Sequence, residues 1–388
     1  MSDGLRDEGV TRFAALAKES VDRGEVPGLV ALVARGDDVH VAVEGLQTLD
    51  GAPMRRDTLF RIASLTKPIC AAAAMTLVAD GLDIDVPVDS LCPELASPRV
   101  LTRLDAPLDE TVPATRAITA RDLLTFTFGF GVAMEMFTSP TELPIVRAER
   151  EAGLHTLGPP APDLQPEPDA YLARLGALPL IAQPGERWLY NTGASVLGVL
   201  LARADERPFD DVLRARLFDP LGMDDTSMWT KDLERLATAY AASEDGFEIW
   251  DDPDGQWSRP PAFPDGAAGL VSTVDDLYRF AQCCLDRGAG VIPAPLVDAM
   301  TTNHLTDEQR AREGGAILQG SGWGFCQAVV TDGPRTGAFG WTGGLGTSWL
   351  VDPARALTVI VMTQRLFTSP ALPNVHEALQ SAAFEAVG

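Results

Sequence analysis

The sequence predicts an α/β (α+β) fold, in which one antiparallel sheet formed by N- and C-terminal strands is flanked by helices and joined to a mostly helical second lobe. Three observations carry this expectation. Strand-like apolar runs occupy 28–35 and 39–45 near one end, and 323–331, 336–341, 347–352 and 356–363 near the other. The stretch between them is dominated by helical periodicity. Finally, 388 residues with 46% apolar content exceed what one small core needs, so two lobes are expected.

The elements follow in order. Residues 7–24 place Val10, Phe13, Leu16, Ala17 and Val21 at helical spacing, and Gly24 and Pro27 end that helix. Gly36-Asp37-Asp38 is a turn signal that joins the first two strands into a hairpin. A helix is expected from Ser64 to Ala79, closed by Asp80-Gly81. Residues 138–169 contain seven prolines, which predicts an ordered loop or lid rather than regular structure. Helical patterns return at 169–178, 194–204, 208–217 and 273–287, and a last helix is expected over 370–386. The expected division is 1–62 with 290–388 as the sheet domain, and 63–289 as a mainly helical domain carrying the Pro-rich loop 138–169. A site would then lie in the cleft between them.

Composition excludes several classes of function. A formal net charge of -24 repels phosphate backbones and anionic lipid, so neither nucleic acid nor a membrane is an expected partner. The longest apolar run, Pro68 to Ala79, is too short to span a bilayer. The polar start, Met1-Ser2-Asp3-Gly4-Leu5-Arg6-Asp7-Glu8, has no signal-peptide pattern. The five cysteines are odd in number and lack metal spacing, so they read as free thiols of a cytoplasmic protein. Only Lys18, Lys67 and Lys231 are lysine, which makes the place of each informative.

Three segments offer chemistry. In Arg61-Ile62-Ala63-Ser64-Leu65-Thr66-Lys67, Ser64 and Lys67 are three apart at a helix start and share one face. Unpaired N–H groups and the helix dipole favour a negative oxygen there. A free lysine, with a pKa of about 10.4, is almost wholly protonated at neutral pH. Acting as a base therefore requires burial or a second cation. Read alone, the pair is equally a serine cap followed by a solvated lysine. The small residues Cys70 to Ala74 point instead to a helix packed on all sides. In Trp188-Leu189-Tyr190-Asn191-Thr192-Gly193, the Tyr190 hydroxyl is a candidate proton carrier or a satisfied core hydroxyl. In Gly340-Trp341-Thr342-Gly343-Gly344, glycines on a strand allow a ligand to approach backbone N–H groups, or form a plain hairpin turn.

Together, S-x-x-K, the tyrosine segment and Trp341-Thr342-Gly343 resemble the serine β-lactamase and penicillin-binding-protein superfamily on its class C side. The chain looks most like the family VIII carboxylesterases, with the nylon-oligomer hydrolases as relatives. Ile118 to Thr125 is similar to the segment before that family's HTSG, where Phe126-Thr127-Phe128-Gly129 stands here. Asp219 to Thr226 and Gly269 to Leu277 resemble two further family stretches. The resemblance implies a β-lactamase/transpeptidase-like fold. It also implies Ser64 as nucleophile, Lys67 as its activator, Tyr190 as general acid/base, and the Ser64 and Gly344 N–H groups as oxyanion hole. Trp341, Thr342, Gly343 and Asn191 would contact substrate.

Two departures steer the expected chemistry. Trp341 replaces the lysine of Lys-Thr-Gly, and Thr192 stands where class C enzymes have asparagine. Both point away from β-lactams. The expectation is a serine hydrolase of the carboxylesterase kind, acting on an ester or amide of a small uncharged substrate through an acyl-enzyme. No metal site and no cofactor are indicated. The alternatives are an acyltransferase using the same acyl-enzyme, a β-lactamase or D-Ala-peptidase-like enzyme and, last, a non-catalytic binding protein.

Overall fold

Seven strands form the central sheet of the computed structural model, which describes residues 4–244, 246–313, 317–318 and 320–387. The first hairpin supplies β1 (Gly28–Arg35) and β2 (Asp38–Gly45). The C-terminal part supplies β3 (Gly322–Trp323), β4 (Ala328–Val329), β5 (Phe339–Gly343), β6 (Thr347–Asp352) and β7 (Leu357–Thr363). Their order is β2-β1-β7-β6-β5-β4-β3, and every neighbouring pair is antiparallel. The two ends of the chain therefore meet where Leu29 pairs with Thr363.

Strand alternation divides the core into two layers. Leu29, Ala31 and Val33 point to one side, where they join Phe13 and Ala17 of helix α1 (Asp7–Asp22). Leu379 and Ala383 of the last of the helices, Asn374–Val387, complete that layer. Val30, Leu32 and Ala34 point the other way, into a larger core that includes Ile69 to Met75 of helix α2 (Thr66–Ala79). With both faces covered, β1 reads as a continuous apolar run rather than an alternating one. Helix α2 is buried from Thr66 to Leu77 because alanines and Cys70 let neighbours approach from every side. Helix α3 (Thr192–Asp205), buried from Thr192 to Leu201, is in the same core.

Several expectations need adjustment. The run 323–331 is two short strands, separated by a turn in which Cys326 adopts φ +58. The Pro-rich segment contains a regular helix, Pro144–Glu151, in whose first turn Pro144 needs no N–H partner. A hairpin of Ala239–Ser243 with Gly246–Asp251 lies in the stretch read as helical. All five cysteines are free and buried. Among the described residues, no helix is long and apolar enough to cross a membrane.

One buried ion pair fixes the approach to the site. Phe60–Arg61 pairs with Val271–Ser272 in a two-stranded sheet. Arg61 is 3% exposed, and its Nε donates to Asp251 Oδ2 at 2.8 Å. Its other nitrogens donate to the carbonyls of Ala237 and Asp252. Burial works against the guanidinium charge, and Asp251 supports it. Removing one member of a buried pair typically costs about 3–5 kcal/mol. Arg61→Leu should therefore lower unfolding stability by about that much, measured by urea denaturation.

Candidate active site

The chain reaches Ser64 through a clamped strand end. Ile62 donates its N–H to Leu270 O at 3.0 Å and accepts from Thr347 Oγ1, also at 3.0 Å. A Cβ at Gly343 would stand 2.2 Å from Ile62 O, so only glycine lets β5 pass this close. Ala63 then takes φ +45, a conformation that costs a non-glycine residue energy. Ser64 follows in a 3-10 turn, Ala63–Leu65, that leads into α2. Ser64 is half-buried and lines a cavity of about 480 Å³.

Lys67, one turn on, is 0% exposed. Its Nζ donates to Ser64 Oγ at 2.7 Å and to Ala267 O at 2.8 Å. The ammonium lies 4.7 Å from the centre of the Tyr190 ring. Tyr190 Oη donates to Ser64 Oγ at 3.0 Å. Ser64 Oγ thus has a lysine and a tyrosine as hydrogen-bond partners, and no histidine among them.

Tyr190 is held from two directions. Its backbone forms a bridge with Val132, and Thr192 N–H closes back on Tyr190 O at 3.2 Å. This makes Asn191 the centre of a strained three-residue turn, with φ 82 and ψ -67. The ring packs among Phe126, Trp188, Trp323 and Trp341, with centroid separations of 5.6 to 6.3 Å. Phe126, which stands at the HTSG position, itself lies 5.0 Å from Trp323.

Trp341 is 9% exposed, and its indole N–H donates to Tyr190 Oη at 2.8 Å. It therefore supplies a neutral donor to the phenol oxygen. Thr342 and Gly344 line the cavity with Trp341. Gly343 is not among the described lining residues, because it faces Ile62 instead. No backbone carbonyl of the described residues accepts from the Ser64 or Gly344 N–H. Asn191 lines the cavity, but its amide is engaged with Thr156 O at 3.3 Å. Thr156 N–H in turn donates to the buried Glu149 at 2.6 Å, a bond within the Pro-rich segment, while the Asn191 bond joins that segment to the Tyr190 turn.

Two contributors escaped the sequence reading. Ala267 acts through a carbonyl, so its residue type gives no signal. Asp265 lines the cavity, and in Asp265-Gly266-Ala267 it stands in no motif that would single it out. Apolar side chains such as Val132, Phe137, Leu345 and Phe367 form much of the rest. Among the described lining residues there is no lysine or arginine. No group of three or more His, Cys, Asp or Glu among the described residues is arranged to hold a metal.

An antiparallel sheet flanked by helices, with these groups in a cleft beside it, is the β-lactamase/transpeptidase architecture. The model of the Beta-lactamase family matches residues 13–383, and the chain belongs to that family. It is 32% identical to Esterase EstB of Burkholderia gladioli, over 92% of this chain and 90% of that one. It is 35% identical to Protein Rv1367c of Mycobacterium tuberculosis (strain ATCC 25618 / H37Rv), over 90% of this chain and 88% of that one. The solved structure of EstCE1, described as a hydrolase with promiscuous acyltransferase activity, superposes with a TM-score of 0.83 at 25% identity. That superposition covers 97% of this chain and 99% of the other.

The clamp at Ile62 makes a direct prediction. Gly343→Ala forces a methyl group into the space of Ile62 O and Thr347 Oγ1. Overpacking of this kind costs about 1–3 kcal/mol. A loss of that size should appear in chemical denaturation of the variant.

Proposed function

We propose that this chain is a serine hydrolase acting on carboxylic esters of small uncharged substrates. The observation that carries the reading is Ser64, lining the cavity, with its Oγ 2.7 Å from Lys67 Nζ and 3.0 Å from Tyr190 Oη. Ser64 Oγ attacks the ester carbonyl carbon while its proton passes to the Lys67–Tyr190 couple, which reacts in the form holding one proton fewer than an ammonium beside a phenol. The carbonyl oxygen becomes an oxyanion, held by the N–H groups of Ser64 and Gly344. Collapse of this intermediate breaks the bond to the alcohol oxygen, which leaves with a proton returned by Tyr190. Water then attacks the acyl-enzyme, gives its proton to the same couple, and releases the acid and free Ser64. The Trp341 N–H steadies charge on the Tyr190 oxygen as the proton moves.

Support for an uncharged substrate comes from the cavity wall, whose described residues include His155 and Asp265 but no lysine or arginine. A charge-assisted hydrogen bond contributes about 1.5–3 kcal/mol. Its absence weakens binding of an anion by roughly 10- to 150-fold. A second reading, acyl transfer to an alcohol or amine, uses the same acyl-enzyme with a different acceptor. The activity described for EstCE1 favours keeping it. Products formed from one ester with and without added alcohol separate the two.

Three predictions test this function. Ser64→Ala should lose both ester turnover and labelling by a fluorophosphonate probe, and labelling that persists would remove Ser64 as nucleophile. In the wild type, kcat/KM for p-nitrophenyl acetate or butyrate should exceed that for nitrocefin at matched ionic strength. A larger value for nitrocefin would restore a β-lactamase. Separately, Lys67→Ala and Tyr190→Phe should each lower kcat by roughly 10²–10⁴ while the protein stays folded, checked by steady-state kinetics and circular dichroism.

A further inference from the structure

Behind Lys67 lies a buried carboxyl that the proposed steps do not use. Asp265 is 7% exposed and borders the cavity. Its Oδ1 accepts from Ser195 Oγ at 2.7 Å and from the Ala267 N–H at 2.9 Å. The same Ala267 presents its carbonyl to Lys67 Nζ at 2.8 Å. The intervening Gly266 is wedged between two helices: a Cβ there would stand 2.5 Å from Ala194 O and 2.9 Å from Cys70 Sγ. The loop has no room to shift independently of α2 and α3.

We propose that Asp265 is a positioning residue for Lys67: its carboxylate anchors the Ala267 carbonyl against the ammonium and is the ammonium's charge partner. This rests on the reading of Ser64, Lys67 and Tyr190 as the reacting groups. A fully buried ammonium needs both acceptors and a nearby negative charge. The Ser64 hydroxyl and the Ala267 carbonyl are neutral acceptors, and Asp265 supplies the charge. The interaction is mutual. Burial raises the Asp265 carboxyl, while Ser195, Ala267 and the field of Lys67 favour its ionised form.

The other titratable groups facing this region are Cys70 on α2, Tyr171 on the helix Pro168–Gly176, and Cys326 between β3 and β4. Burial pushes all three upward, so they are neutral at neutral pH. Glu149 lies beyond Tyr171, and Tyr190 lies on the Ser64 side of Lys67.

The scarcity of lysine makes the test direct. Protein labelled with carbon-13 at lysine Cε carries three such residues, Lys18, Lys67 and Lys231. The Lys67 signal is the one missing from Lys67→Arg. In Asp265→Asn, which keeps an acceptor for Ser195 and Ala267, the Lys67 signal should titrate at lower pH than in wild type, because the negative charge that favours the protonated form is gone. The kcat/KM profile against pH should move down with it.

Folding of the variant is checked by circular dichroism across the pH range of the titration. Asp265→Ser gives the same readout if the asparagine variant does not fold. A Lys67 titration that does not move in the folded variant overturns the inference, even if kcat falls, because a purely structural clamp predicts that pattern. The titration needs no substrate. Failure of the wild type to cleave any ester would count against the proposed hydrolase and leave this measurement standing.

Discussion

Everything in the cleft is organised around one costly placement, a lysine buried to 0% exposure at the first turn of a helix that is itself buried. An ammonium removed from water must find its hydrogen-bond acceptors within the protein. Here they are Ser64 Oγ and Ala267 O, with the face of Tyr190 as a third attractive surface. Each acceptor comes from a different part of the chain. Satisfying one side chain therefore brings α2, the 265–267 loop and the Tyr190 turn together, and the small residues Cys70 to Ala74 make the close approach feasible.

The second organising feature is the wall of rings. In Trp341 the chain has an aromatic residue whose N–H reaches the Tyr190 oxygen at the third motif, where β-lactamases carry lysine. The ring also meets Trp323 edge-on, with centroids 4.7 Å apart. Trp323 in turn touches Phe126 and Trp188. One substitution of charge by aromatic surface thus extends into a packed group drawn from the Phe126 turn, the Tyr190 segment, β3 and β5. Rings placed this way fix the phenol by contact on several sides, which a flexible lysine cannot do.

Legibility in the sequence varied with the range of the forces involved. Helix α1, the β1–β2 hairpin, α2 and strands β6 and β7 were readable because periodicity and turn residues are local signals. Ser64 and Lys67 were readable because helical spacing alone puts them on one face. The break at Cys326 was not, since its positive φ is imposed by neighbours, including Leu124 O, which accepts the Cys326 N–H. The helix Pro144–Glu151 was masked by proline density, because a first-turn proline looks the same as a loop proline without its context. Asn191 showed its polarity but not its partner. Thr156 is distant in sequence, and only the folded Pro-rich segment brings its carbonyl within reach. Ala267 and Asp265 depend wholly on tertiary placement.

The strand order also has a consequence for how the protein is made. Strand β1 lies between β2 and β7, and its register sets Leu29 against Thr363. A ribosome emits the first hairpin long before its other partner exists. Until β7 emerges, one edge of an apolar strand is left unpaired, and both of its faces lack their final cover. Long-range pairing of this kind slows folding, so closure of the sheet waits on the last strands of the chain.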